Sequence, residues 1–118
     1  MDHEIASRYF KLLNLLNEKF AGDGEHDLNS ALFIIGIQEV GKGYKLYSKE
    51  EKMNLIHVAI CTILEPYGFY KFIETDKDGW PHFERVKKVP ALSLEEQEEL
   101  LKTAVVNYFS ENRIFDFS

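Results

Sequence analysis

The stretch from Ser48 to Pro66, SKEEKMNLIHVAICTILEP, decides the fold. It reads as one helix, and an unusually apolar one. Ser48 and Glu51 have the S-x-x-E spacing of a capping box, in which each side chain satisfies an orphan amide at the helix start. Pro66 bars continuation and is expected to push Glu65 away from helical angles. On a helical wheel, Met53, Ile56, Ala59, Ile60, Ile63 and Leu64 form one broad face. Leu55 and Val58 make much of the opposite side apolar too. A helix apolar nearly all round is buried by neighbours on several sides. Ile56, Ile60 and Ile63 are the expected core residues. One narrow stripe breaks the pattern: Glu50, Asn54, His57 and Cys61.

Outward on the N-terminal side, Lys42–Tyr47 reads as a loop, set off by Gly41 and Gly43. Before it, a second helix is expected from about Leu28 to Val40, capped by Asp27 or Asn29. Its apolar residues surround the axis, so a buried strand over Leu32–Ile37 is the rival reading; length and the cap favour the helix. Gly36 inside it costs about 1 kcal/mol relative to alanine, which close approach of another helix would explain. A first helix spans Asp2 to Phe20, with Ile5, Tyr9, Leu12, Leu13, Leu16 and Phe20 at helical spacing. The polar turn Gly22–Asp27 separates the two.

Outward on the C-terminal side, Tyr67–Val86 reads as a β-hairpin, with Asp76-Lys77-Asp78-Gly79 at its turn. A three-residue loop would set Asp76 opposite Trp80. A four-residue loop would set Thr75 opposite Trp80, Phe72 opposite Phe83, Lys71 opposite Glu84 and Tyr70 opposite Arg85. The second matches side chains better. Tyr70, Phe72 and Phe83 are then expected to face the core, and Trp80, His82 and Ile73 the other side. Pro81 makes the second strand an edge. Ser93 and Glu96 supply another capping box, opening a last helix with Leu94, Leu100, Leu101, Ala104, Val105 and Tyr108 inward. Its acidic start suits the positive end of a helix dipole. The tail Arg113–Ser118 could fold back or add to a sheet edge. The fold class is therefore mainly α (α+β): four helices around the central one, with one β-hairpin between helices 3 and 4, in a single domain over residues 1–118.

The chain has 118 residues and a formal net charge of -6, a balance that argues against nucleic-acid binding. The longest apolar run is far below the roughly 20 residues needed to cross a bilayer, so no membrane association is expected. Cys61 is the only cysteine. It cannot form an internal disulfide, which fits a reducing, cytoplasmic setting. No phosphate loop, nucleophile elbow, H-E-x-x-H or paired C-x-x-C occurs.

The candidate chemistry lies on the polar stripe. His57 and Cys61, four apart, could reach one metal ion, but two ligands do not make a site. Glu39, His82 or His26 would have to complete it, so no metal and no cofactor is assigned. Glu39 falls on an apolar face near a helix C-terminus, where the dipole disfavours a carboxylate. A buried Glu39–His57 pair would offset that and could act as base and orienting acid. The plainer alternatives are that Glu39 reaches solvent and that His57 bonds a backbone carbonyl. Asp76-Lys77-Asp78-Gly79 lacks the spacing of a calcium loop and reads as turn chemistry. An exposed Trp80 beside His82 would mark a contact surface; coverage by another helix is the competing reading. The order of elements invites comparison with a winged helix-turn-helix, but the third helix has no basic face.

The stretches GIQEVG (Gly36–Gly41), EKMNLIHVAICTIL (Glu51–Leu64) and DGWPHF (Asp78–Phe83) resemble a small uncharacterised bacterial protein family. No activity is assigned to that family, so the resemblance implies no site residue. Taken together, the sequence points to a non-enzymatic binding or adaptor module that meets a protein partner or, by self-association, its own copy through Trp80, His82, Cys61 and Asn54. The alternative is a small enzyme or ligand-binding protein using Glu39 and His57.

Overall fold

The computed structural model describes residues 3–19, 27–43, 45–88 and 90–112. The elements are α1 (His3–Lys19), α2 (Leu28–Val40), α3 (Lys49–Leu64), a 3-10 turn (Glu65–Tyr67), β1 (Tyr70–Thr75), β2 (Pro81–Arg85) and α4 (Leu94–Glu111). The protein is thus mainly α, with an antiparallel hairpin between its third and fourth helices. The expectations for Asp2, Phe20, the turn at 22–26 with His26, and the tail at 113–118 lie outside the described residues. Two compact units are distinguished: residues 1–31 with 92–118, and residues 32–91.

In the unit of residues 32–91, α2 is a helix throughout and the strand alternative falls away. Asp27 caps it, its Oδ1 accepting from the Ser30 amide at 3.0 Å. Gly36 lets α3 come close: a Cβ built there would lie 2.2 Å from the Leu55 carbonyl oxygen. Ile37, Val40, Tyr47, Leu55 and Val58 form a buried cluster, and Phe33, Trp80 and Phe83 pack against it. The capping box at Ser48 and Glu51 is present on both sides.

The inward side of α3 matches the expected face at Ala59, Ile63 and Leu64 but not at Met53, Ile56 and Ile60. Leu55, Val58, Ala59, Cys61, Ile63 and Leu64 are buried. Ile56 and Ile60 are only partly covered, and Met53 is 63% exposed. On a helix that is apolar all round, the wheel cannot choose the inward side. The neighbours choose it: α2 at Gly36 and the hairpin at Trp80 and Phe83 both meet the Leu55–Val58 side.

Pro66 ends the α-helical ladder, since it has no amide to donate, but Glu65 keeps right-handed helical angles, φ -58 and ψ -46. The expected departure at Glu65 does not occur. The chain winds on into a 3-10 turn with Pro66 in its first turn, where a missing donor costs nothing. Gly68, at φ 84, closes that turn by donating to the Glu65 carbonyl.

The hairpin keeps the favoured four-residue register at its open end and departs from it at the turn, where Thr75 does not meet Trp80. Tyr70 pairs with Arg85, Lys71 with Glu84 and Phe72 with Phe83, as the four-residue loop requires. Nearer the turn, Glu74 pairs with His82 and Thr75 with Pro81, and the Asp76 amide donates to the Trp80 carbonyl. That is the three-residue loop, with Gly79 at φ 90. The pairing shifts between Phe72 and Glu74, which leaves Ile73 as the extra residue of a bulge. The facing changes accordingly. Phe72 is 44% exposed although its ring meets Phe83 edge-on, with centroids 5.8 Å apart. Trp80, outside the ladder, turns onto the buried cluster instead of standing free on the outer face.

In the unit of residues 1–31 and 92–118, α1 packs on α4. Tyr9, Leu12 and Leu16 are buried on α1. On α4 the buried residues are Ala104, Val105, Val106, Tyr108 and Phe109, all in its second half. Leu94 departs from the expected inward stripe: it is 85% exposed. As the first residue after the Ser93 cap, it precedes the buried stretch by nearly three turns.

Candidate functional site

The polar stripe of α3 divides between solvent and core. Glu50, Asn54 and His57 are exposed, whereas Cys61 is 2% exposed. Cys61 Sγ and His57 Nε2 stand 3.7 Å apart, the contact their four-residue spacing allows. Burial pushes the Cys61 thiol up to about 11, so the thiolate is disfavoured and the sulfur is a poor nucleophile at neutral pH. Glu39, in the last turn of α2, is also exposed. Both Glu39 and His57 are exposed, as the plainer reading of Glu39 has it, so a pair between them would not be a buried one. Among the described residues, no group of three or more His, Cys, Asp and Glu side chains could hold a metal ion.

His82 and Asp76 form a second contact. His82 Nε2 lies 2.8 Å from Asp76 Oδ2, while Asp76 Oδ1 accepts from the amides of Asp78 at 2.9 Å and Trp80 at 3.0 Å. The His82 hydrogen bond, and after it the two amides, hold the Asp76 carboxyl below its usual range. This is a clasp on the turn. Trp80 carries the Lys42 ammonium over its ring at 5.5 Å. Trp80 and His82 are therefore both engaged within the unit of residues 32–91.

A groove lies elsewhere. It is open, about 530 Å³ in volume, and lined by Tyr9 and Leu13 of α1, Asp27, Leu28 and Asn29 at the start of α2, and Leu94, Gln97, Glu98, Leu101 and Lys102 of α4. All belong to the unit of residues 1–31 and 92–118. Helical spacing explains the wall on each side: Tyr9 and Leu13 are four apart, and Leu94 and Leu101 seven. Lys102 sits 3.2 Å from Glu98 and over the Tyr9 ring at 5.1 Å. Burial, then Asp27 and Glu98, push the Tyr9 hydroxyl up to about 12. Tyr9 stays neutral across the physiological range.

Sequence reading missed this groove because its residues come from three separate segments. The available signal was Leu94, a leucine at the first position after a cap, on the same face as Leu101. A mainly α protein with one hairpin and an apolar helical groove is the class that fold and site define. No protein-family model, curated protein or solved structure matches the chain. No helix among the described residues is long and apolar enough to cross a membrane.

Proposed function

We propose that this protein is a non-enzymatic binding module, an adaptor, that docks a protein partner in the groove lined by α1, the start of α2 and α4. The observation that carries this reading is Leu94. It is 85% exposed, at the start of a helix and at the edge of an open cleft walled by Leu13, Leu28 and Leu101. Burying a leucine gains about 1.5–3 kcal/mol, so a partner's apolar side chains would find a ready contact here. An open cleft suits a segment of another chain better than a small molecule, which binds where most of its surface can be enclosed. The free thiol of Cys61 agrees with a reducing, cytoplasmic setting.

A small enzyme built on Glu39 and His57 draws less support. Both groups are exposed, and catalytic acids and bases owe their tuning to burial and close partners.

The test is an NMR titration with an uncharged amphipathic peptide of leucine and glutamine. The methyl resonances of Leu13, Leu28, Leu94 and Leu101 are expected to shift together, and Leu94→Asp to abolish the effect. Groove methyls that stay fixed at saturating peptide overturn the reading.

A further inference from the structure

The groove's charge and backbone together specify what it takes. We infer that its occupant is the apolar face of a basic amphipathic helix on a partner protein, an inference that rests on the binding-module reading above. Three observations carry it.

The first is the backbone of the walls. All three segments are helical or cap a helix, so the groove offers no row of unpaired amides and carbonyls. A segment docking as a strand would find no edge to extend. The occupant must satisfy its own backbone, as a helix does, and present side chains at spacings of three, four and seven. Leu94 and Leu101, two turns apart, match that repeat.

The second is the state of the helix ends. The N-termini of α2 and α4 both border the groove, a setting that would ordinarily attract an anion. Both are already capped. The Ser30 amide bonds the Asp27 carboxylate at 3.0 Å, and the Glu96 amide bonds Ser93 Oγ at 3.1 Å. One donor at each helix start is thus already taken, and an incoming phosphate or carboxylate would also meet the Asp27 and Glu98 carboxylates.

The third is charge. Asp27 and Glu98 line the groove against one cation, Lys102, which already pairs with Glu98. Glu95 and Glu96 stand exposed in the first turn of α4 beside Leu94. Residues 1–31 and 92–118 hold twelve acidic against five basic side chains; residues 32–91 hold eight against nine, together the 20 and 14 of the whole chain. The chain's negative charge is thus concentrated in the unit that carries the groove. Lysines or arginines flanking the leucines of a docking helix would find complementary charge there.

The experiment compares three short amphipathic helices with the same leucine pattern, in which the polar positions are lysine, glutamine or glutamate. Binding is followed by NMR and by calorimetry at low and high salt. The lysine peptide is expected to bind about tenfold more tightly than the glutamine peptide, the glutamate peptide more weakly than either, and added salt to erase the difference. Asp27→Asn with Glu98→Gln, which keeps the α2 cap, is expected to remove most of the preference. Leu94→Asp separates docking from plain charge attraction: it adds an acid yet should weaken the lysine peptide. Tighter binding to Leu94→Asp would show coulombic adhesion and overturn the inference. Equal affinities for lysine and glutamine peptides, with groove methyls shifting, would overturn the charge inference and leave the binding module standing. Failure of all three would overturn both. Self-association in sedimentation that Leu94→Asp abolishes would make a second copy the occupant and overturn the basic-helix assignment.

Discussion

Gly36 shows how much one residue carries. Its closeness to the Leu55 backbone leaves no room for a methyl group: the added Cβ would sit 2.2 Å from the carbonyl oxygen and 2.7 Å from the carbonyl carbon. Helix propensity alone would favour alanine by about 1 kcal/mol. The contact is with backbone, which cannot rotate away, so α2 and α3 would have to separate. Gly36→Ala is therefore expected to destabilise, by about 1–3 kcal/mol in a denaturant titration; a stabilised variant would show that the helices yield freely. The same approach decides which side of α3 is the core. Leu55→Ala, at a fully buried site, is expected to cost about 2–5 kcal/mol, and Ile60→Ala, at a partly covered one, clearly less. Equal losses would contradict the observed facing. The glycine was legible in the sequence as a site of close approach. The facing was not, because Leu55, Val58, Ile56 and Ile60 are alike in hydrophobicity and only the neighbours distinguish them.

The elements themselves were largely readable, because their ends are written locally. Asp27, Ser48 and Ser93 each cap a helix at the expected place, and capping depends only on residues three positions away. The hairpin was read correctly at one end only. Side-chain matching gave the Phe72–Phe83 end, but the four-residue loop it favoured is wrong at the turn, where Asp76 rather than Thr75 meets Trp80 and the Ile73 bulge takes up the extra residue. Asp76 holds the turn end, and its carboxyl titrates below its usual 3.8, chiefly through His82. A carboxylate lowered by folding contributes stability above its unfolded pKa and loses it as pH falls through the folded value. The turn should thus loosen below about pH 4. The chain's single tryptophan, Trp80, lies next to it and reports by fluorescence. Asp76→Asn keeps an oxygen for the amides of Asp78 and Trp80 but has no charge to lose, so the acid transition of Trp80 should flatten. His82→Gln should move the Asp76 midpoint, read by carboxyl NMR, up toward 3.8. A midpoint that stays put would mean the amides, not the imidazole, set it.

Across the whole molecule, the ionisable groups predict a stability plateau with two shoulders of different origin. On the acid side, Glu51, Asp76 and Glu96 all have lowered carboxyl pKa values, Glu51 and Glu96 chiefly through backbone bonds in their capping boxes. Each supports the fold above its unfolded pKa and ceases to as pH falls through the folded one. On the alkaline side the signs reverse. Cys61 is raised to about 11 and Tyr9 to about 12, both first by burial. The unfolded chain ionises these groups earlier than the folded one, from ordinary values of 9.0 and 10.0. The contribution of these two groups should be flat below about pH 9 and decline as pH rises through the folded values. Tyr9 ties this shoulder to the groove, since Asp27 and Glu98 add to its shift. Tyr9→Phe keeps the ring beneath Lys102 and removes the titrating hydroxyl. Its denaturation midpoint should fall less steeply than wild type between pH 10 and 12, with the two profiles parallel below pH 9. Asp27→Asn with Glu98→Gln should lower the Tyr9 titration, followed by its phenolate absorbance, without returning it to 10, because burial remains. Full return to 10 would mean that the two carboxylates alone shift it. No change at all would mean that the two carboxylates do not bear on Tyr9.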